Sequence, residues 1–394
     1  MNEVSPPTGI DRRRFLQRAA TGAAGVASMG AFGALLEACG GSSPSSSGKT
    51  KGGYKLSDTA GDMSKLVKAA KAEGSLNVIA LPPNWSNYGN IIKAFQKKYG
   101  ITVNSAAPDD SSAQEITAIK ALKGQSRGPD AVDVSPSLAQ EGVAEGLFTP
   151  YRVATWDSIP ANMKDPSGLW YGDYYGAISF GVNTKIVKNV PRDWADLLKP
   201  EYKGMVSING NPTSAGDAFA AVFAAALANG GSLDDITPGI DFFAHLKKIG
   251  NWNPTNCLPA NIAKGTTPIA IEWDYLNIAY NAQFSGSPPV ATVIPKSGKF
   301  GNFYCQAISK YAPTPAAARL WEEFLYSDEG QLLYLAGYAH PARYADLAKA
   351  GKIPSSLQSK LPPASEYAGI IFPNNSQTTK AANILAAKWQ PAMG

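Results

Sequence analysis

The run Glu272-Trp273-Asp274-Tyr275 sets two carboxylates and two aromatic rings in four consecutive positions. Carboxylates give charge-assisted hydrogen bonds to an ammonium group, and an indole face attracts a cation by roughly 0.5–2 kcal/mol. In an extended strand Glu272 and Asp274 share one side while Trp273 and Tyr275 share the other. Only one pair then faces a ligand, unless the strand ends inside the run. Asp109 and Asp110 supply two further carboxylates from the loop Pro108–Ser112, where Asp110 or Ser111 can equally cap the next helix. Asn84 and Trp85 end the Pro-Pro loop Leu81–Trp85, an exposed setting that suits a cleft wall better than a core. Ser135 follows a strand in the same way. Asn211, Thr213, Ser214 and Gly216 precede a helix whose free amides can hold a carboxylate or phosphate, or can take an ordinary cap. The late segment adds Tyr338, His340 and Arg343, with His340 read as fixing a turn rather than as a catalytic group.

Other chemistries are not written in the chain. It carries no nucleophile elbow and no P-loop, so an enzyme is not expected and no cofactor is implied. Two histidines, His245 and His340, cannot make a multi-histidine metal site, and no metal site is assigned.

The elements that must position these residues follow from periodicity. Apolar stripes predict helices over 64–73, 88–99 and 113–122, alternating with strands at 75–80, 100–104 and 131–134. That alternation predicts a parallel sheet with crossovers, whose ligands sit at the carboxyl ends of the strands. A second α/β unit begins near Ala177–Asn183 and continues through a strand at 205–208, a helix ending near Ala228 and a helix at 240–249. The chain returns through 290–295 and 303–308 and then becomes helical over 315–325 and 329–336.

The amino terminus reads as an address. Arg12, Arg13, Arg14 and Arg18 precede an apolar run from Ala19 to Leu36, and Leu36-Glu37-Ala38-Cys39 closes it. Paired arginines before Phe15-Leu16 resemble a twin-arginine export signal, and Leu-x-Ala-Cys resembles a lipoprotein cleavage site. Residues 1–38 are then removed, Cys39 carries the lipid, and residues 39–60, rich in Gly and Ser, form a flexible tether. Glu37 departs from the small neutral residue usual at such a site. The mature chain, near +4 with charges of both signs mixed, has no basic block for nucleic acid. Its length predicts two domains. Cys257 and Cys305 form an even pair, which in an oxidising compartment is a disulfide candidate, the alternative being two buried thiols.

An ordered set of short motifs then carries a resemblance. Gly146–Tyr151, Asp165–Gly172 and Phe180–Thr184 lead to Pro191–Pro200 and Tyr202-Lys203-Gly204. Val293–Gly298, Ala316–Trp321 and Ser327–Gln331 follow near the end. Across residues 75–345 the chain resembles extracellular solute-binding proteins of ABC importers, in the branch that includes ferric-iron, polyamine, thiamine and aminoethylphosphonate binders. The resemblance implies an α/β, two-lobed type II periplasmic-binding-protein fold, with lobe 1 at 61–179 plus 305–394 and lobe 2 at 180–304. Hinge crossings are expected near Ile178–Asn183 and Asn302–Ile308. It also implies a monomer that holds a small solute between lobes and docks on a membrane permease with a cytoplasmic ATPase. The favoured solute is a polyamine or other ammonium compound. An anionic phosphonate and ferric iron are alternatives, as is a sensory lipoprotein that feeds no transporter. Ferric relatives use adjacent tyrosines, and Tyr174-Tyr175 is the only such pair, before the hinge rather than late in the chain.

Overall fold

The computed structural model describes residues 49–50, 53–362 and 364–394. The export segment 1–38, Cys39 and the start of the tether lie outside the described residues. The end of the expected tether is docked instead. Tyr54 and Leu56 pack on the core, and Thr59 bridges to Arg152. The Ala60 N–H donates to the Arg152 carbonyl at 2.8 Å, and Arg319 Nε donates to the Ser57 carbonyl at 3.1 Å. Tyr54 and Leu56 bring the first large apolar surface after the Gly/Ser tract, so burial starts there.

The first lobe alternates α1 (Met63–Glu73), β1 (Ser75–Ile79), α2 (Tyr88–Tyr99), β2 (Thr102–Ala106), α3 (Ser112–Ala121), β3 (Ala131–Val134) and α4 (Pro136–Ala144). Local chemistry accounts for the boundaries. Helix α2 buries Tyr88, Ile91 and Phe95 on one stripe, and Gly100 closes it at φ 68° with its N–H on the Gln96 carbonyl. Ser111 and Gln114 form a capping box at α3, so the cap is Ser111 rather than Asp110. Ser135-Pro136-Ser137, expected as a loop, starts α4 with Ser135 at its N-cap and Pro136 in the first turn.

Strand β1 pairs in parallel with β2 and β3, as the crossovers require. After β4 (Phe148–Thr149) comes β5 (Tyr171–Asn183), a long strand that belongs to both lobes. The second lobe contains β6 (Val206–Ile208), α5 (Gly216–Ala228), α6 (Thr237–Ile249), α7 (Pro259–Lys264), β7 (Ile269–Trp273), α8 (Asp274–Gln283) and β8 (Val290–Val293). The chain returns in β9 (Gly301–Ser309), antiparallel to both β3 and β5. It continues through α9 (Pro315–Leu325), α10 (Asp328–Ala336), β10 (His340–Pro341), α11 (Tyr344–Lys349), α12 (Ser355–Gln358), α13 (Ala364–Tyr367) and α14 (Asn375–Met393).

Sheet order β2-β1-β3-β9-β5-β7-β6 makes β5 the shared element. Its first part, Tyr171–Ala177, pairs with β9, while Ile178–Val182 pairs with β7. The lobes therefore meet at Ala177–Ile178, at the leading edge of the first expected crossing. The return crossing lies just ahead of Asn302–Ile308, where the Ile178 N–H reaches the Phe300 carbonyl at 3.0 Å. Gly176 permits this junction, because a Cβ there would lie 2.6 Å from the Tyr275 ring. Helix α14 packs on both α6 and α4, so the tail spans the two lobes rather than staying with the first.

The cysteine pair is not a bridge. Cys257 and Cys305 are both free and buried. Cys305 sits in the first lobe's sheet opposite Val134 and Gly172, whereas Cys257 lies in the second lobe beside Glu272 and Asp217. Burial pushes both thiols up, which keeps them protonated and inert.

Candidate functional site

A cavity of about 520 Å³ lies between the lobes, within the size range of small-molecule sites. Loops at strand ends build its walls. The β1–α2 loop gives Asn84 and Trp85, the β2–α3 loop gives Asp109 and Asp110, and β3 gives Asp133. Across the cleft stand Asn209, Asn211, Ser214, Gly216 and Asp217 from the β6–α5 segment and Tyr280 from α8, while Tyr304 from β9 belongs to the first lobe's side. The approach is close: a Cβ on Gly216 would lie 3.0 Å from both Ser135 Cβ and the Tyr304 hydroxyl.

Charge here has one sign. Asp109, Asp110, Glu115, Asp133 and Asp217 line the cavity, and among the described residues no Lys, Arg or His does. Asp133 Oδ2 accepts from the Tyr88 hydroxyl at 2.8 Å and the Tyr174 hydroxyl at 3.0 Å, while its Oδ1 has no partner. Asp217 accepts from the Ala218 N–H at 2.8 Å through Oδ1, while its Oδ2 makes no well-formed hydrogen bond and has the Asn209 side chain as its polar neighbour. Behind Tyr280 lies Glu272, fully buried, with Oε1 unpartnered and only a 3.4 Å contact from the Tyr280 hydroxyl to Oε2. Burial pushes the Asp217 carboxyl up to about 7 and holds Asp133 and Glu272 well above the usual carboxylate range. Three buried carboxylates with free oxygens and no basic partner are a costly arrangement that a cation with N–H donors would relieve.

Aromatic rings close the floor. Trp85 meets Tyr304 edge-on at 5.6 Å and Tyr275 at 6.1 Å, and its Nε1 donates to the Tyr174 hydroxyl at 2.8 Å. Tyr174 stacks on Tyr304 at 5.8 Å, and Trp273 stacks on Tyr275 at 6.3 Å. These rings come from both lobes, so a flat or cationic group placed here would touch both.

The expected residues divide into three groups. Asn84, Trp85, Asp109, Asp110, Ser214 and Gly216 line the cavity, with Trp273 and Tyr275 in the ring cluster beneath it and Glu272 deeper still. Ser135 and Thr213 meet instead in an adjoining groove walled by α14, which shares Ser214 and Gly216 with the cleft. Asp274 and Tyr338 are corrected. The strand ends at Trp273, and Asp274 opens α8 with Oδ1 accepting from the Ala177 N–H at 2.9 Å and Oδ2 from the Tyr367 hydroxyl at 2.5 Å. Asp274 therefore ties the second lobe to the hinge and the tail, not to the cleft. Tyr338, at φ 71°, lies beside Lys360 outside the cavity lining, and His340 and Arg343 also stand away from it.

Asp133, Asp217, Glu115 and Tyr304 were missed. Their signal was nonetheless present: a lone aspartate inside the apolar strand Ala-Val-Asp-Val, and another opening the alanine-rich α5. A charge in a segment that will be buried has to be explained by a partner. Asp217 stands in the first turn of α5, where its charge opposes an external anion, and it takes the Ala218 N–H. Among the described residues no group of three or more His, Cys, Asp and Glu is arranged to hold a metal ion.

Known proteins agree with this architecture. Over 245 residues the chain is 26% identical to a Salmonella typhimurium protein provisionally named a 2-aminoethylphosphonate-binding periplasmic protein, covering 60% of this chain and 68% of that one. Its structure is similar to that of the periplasmic binding protein AfuA from Actinobacillus pleuropneumoniae with fructose-6-phosphate bound, at TM-score 0.66 and 22% identity over 81% of this chain and 98% of AfuA. Iron-bound HitA from Pseudomonas aeruginosa matches at TM-score 0.62 and 19% identity, covering 81% and 99%. These structures share the two-lobed type II periplasmic-binding-protein fold with this chain. The family model described as bacterial extracellular solute-binding protein matches residues 129–373, and the chain belongs to that family.

Proposed function

We propose that this protein captures a small amine or ammonium compound, of the polyamine class, between its lobes and delivers it to an importer permease. As an extracellular solute-binding protein it is a non-enzymatic transport component that works outside the cytoplasm. The observation that carries the cargo reading is the cleft's charge: carboxylates from both lobes and no basic side chain. A phosphonate or sugar phosphate is disfavoured by that charge, and Asp217 already takes the Ala218 N–H at the start of α5. Asp133 from the first lobe and Asp217 from the second would share one cation, so the ligand favours the closed state by touching both. We also assign residues 1–38 as a signal peptide removed at Cys39, whose lipid keeps the body near the permease and raises its effective concentration there.

A thermal-shift panel of putrescine, spermidine, choline, 2-aminoethylphosphonate and ferric citrate tests the cargo. A ligand at a hundredfold excess over Kd adds about 2.7 kcal/mol, a readable rise in Tm. Stabilisation by amines is expected. Stabilisation by the phosphonate or ferric citrate, with none by the amines, would overturn the proposal. Mass spectrometry of the mature amino terminus checks the lipid on Cys39 independently.

A further inference from the structure

Strand β5 has two faces, and only one serves the cleft. Tyr174 joins the ring cluster under the cavity, whereas its neighbour Tyr175 points the other way and stacks on His340 at 5.0 Å. Around that stack a second cavity of about 480 Å³ is walled by Tyr344, Leu361, Tyr367, Ile370 and Phe372. Among the described residues no charged side chain lines it, and Gln358 adds one polar group to the wall. His340 is only 7% exposed, is wedged edge-on between Tyr344 and Tyr367, and neither ring nitrogen has a hydrogen-bond partner.

A buried imidazole with two unused nitrogens is costly unless something else completes it. Burial holds it down to about 4, so near neutral pH it is uncharged, with one donor and one acceptor nitrogen. The Tyr367 hydroxyl cannot donate to the unprotonated nitrogen, because its proton is given to Asp274. The walls fit an aromatic ring, and the absence of counter-charge rejects ions. A hydroxyl on that ring would donate to the unprotonated nitrogen. We propose that this cavity, on the opposite side of the hinge strand from the cleft, is a second ligand site for a neutral aromatic hydroxyl compound of the phenol type.

The chain's two histidines make the test direct. His245 is exposed on α6 and acts as an internal control. Imidazole resonances of the histidine-labelled full chain are followed while 4-methylphenol is added. The His340 signal is expected to shift saturably while His245 stays fixed. Leu361→Trp, which fills the cavity from a half-buried rim position, is expected to abolish the shift. His340→Phe keeps the apolar wall but removes the nitrogens, and calorimetry should show binding weakened several-fold. An unmoved His340 signal, a non-saturating drift of both signals, or a saturable shift that survives Leu361→Trp would each overturn the site. Equal affinity in His340→Phe would do the same if the tryptophan variant does not fold.

Discussion

Asp217→Asn tests the account from two sides at once. In the free protein the Asp217 carboxyl is fully buried, and its folded value of about 7 stands above the ordinary 3.8 because burial disfavours the charge. A raised carboxyl contributes stability below about pH 4, and that contribution is lost as pH rises through about 7. At pH 8 the ionised group costs the fold on the order of 4 kcal/mol by linkage. Asparagine removes that cost but introduces amide donors without a partner, a penalty of about 1–3 kcal/mol. The net expectation at pH 8 is a free protein at least as stable as wild type, whose stability changes less between pH 4 and 8. Amine binding should move oppositely, because a charge-assisted hydrogen bond worth about 1.5–3 kcal/mol is lost, or roughly ten- to a hundredfold in Kd. Thermal melts from pH 4 to 8 and calorimetric titration with putrescine read the two effects. A variant that melts lower at pH 8 with unchanged putrescine affinity would refute the reasoning.

Other perturbations follow from the same geometry. Amine affinity should fall as pH drops below about 7, since Asp217 must ionise to hold the cation, and burial of Asp133 acts in the same direction; near and below that pH protons should be released on binding, visible as buffer-dependent heats in calorimetry. Trp85→Ala removes an indole that contacts Tyr275 and Tyr304, and should weaken a cationic ligand by about 0.5–2 kcal/mol in the same titration while leaving far-ultraviolet dichroism unchanged. Gly216→Val puts a branched side chain where a Cβ already lies 3.0 Å from Ser135 and Tyr304. It should hold the lobes apart, raising the radius of gyration in small-angle scattering with ligand present and lowering affinity at least about tenfold.

Much of the framework was legible because helices and strands announce themselves by period. The parallel units of the first lobe and the loops at Asn84–Trp85 and Asp109–Asp110 follow from patterns inside a few residues, whereas the crossing near Ile178 came only from the family resemblance. Depth was harder to read. Asp133 and Asp217 look like ordinary polar interruptions until the sheet and α5 bury them, and their lack of a basic partner is a property of the fold alone. Asp274 shows the reverse case. Its neighbours suggested a ligand, but the strand stops one residue earlier and its carboxylate is spent on Ala177 and Tyr367. Cysteine count gave parity but no geometry, so the two thiols turned out to sit in separate lobes. The contact of α14 with both lobes was invisible because its partners, α4 and α6, lie more than a hundred residues away in sequence.

The most direct measurement is a paired calorimetric titration, putrescine against 2-aminoethylphosphonate, into wild type and the Asp133→Asn/Asp217→Asn double variant at pH 8. Cation capture by carboxylates of both lobes predicts putrescine binding to wild type and a loss of at least a hundredfold in the double variant. Tight phosphonate binding that the double variant keeps or improves, with putrescine silent in both proteins, would contradict it.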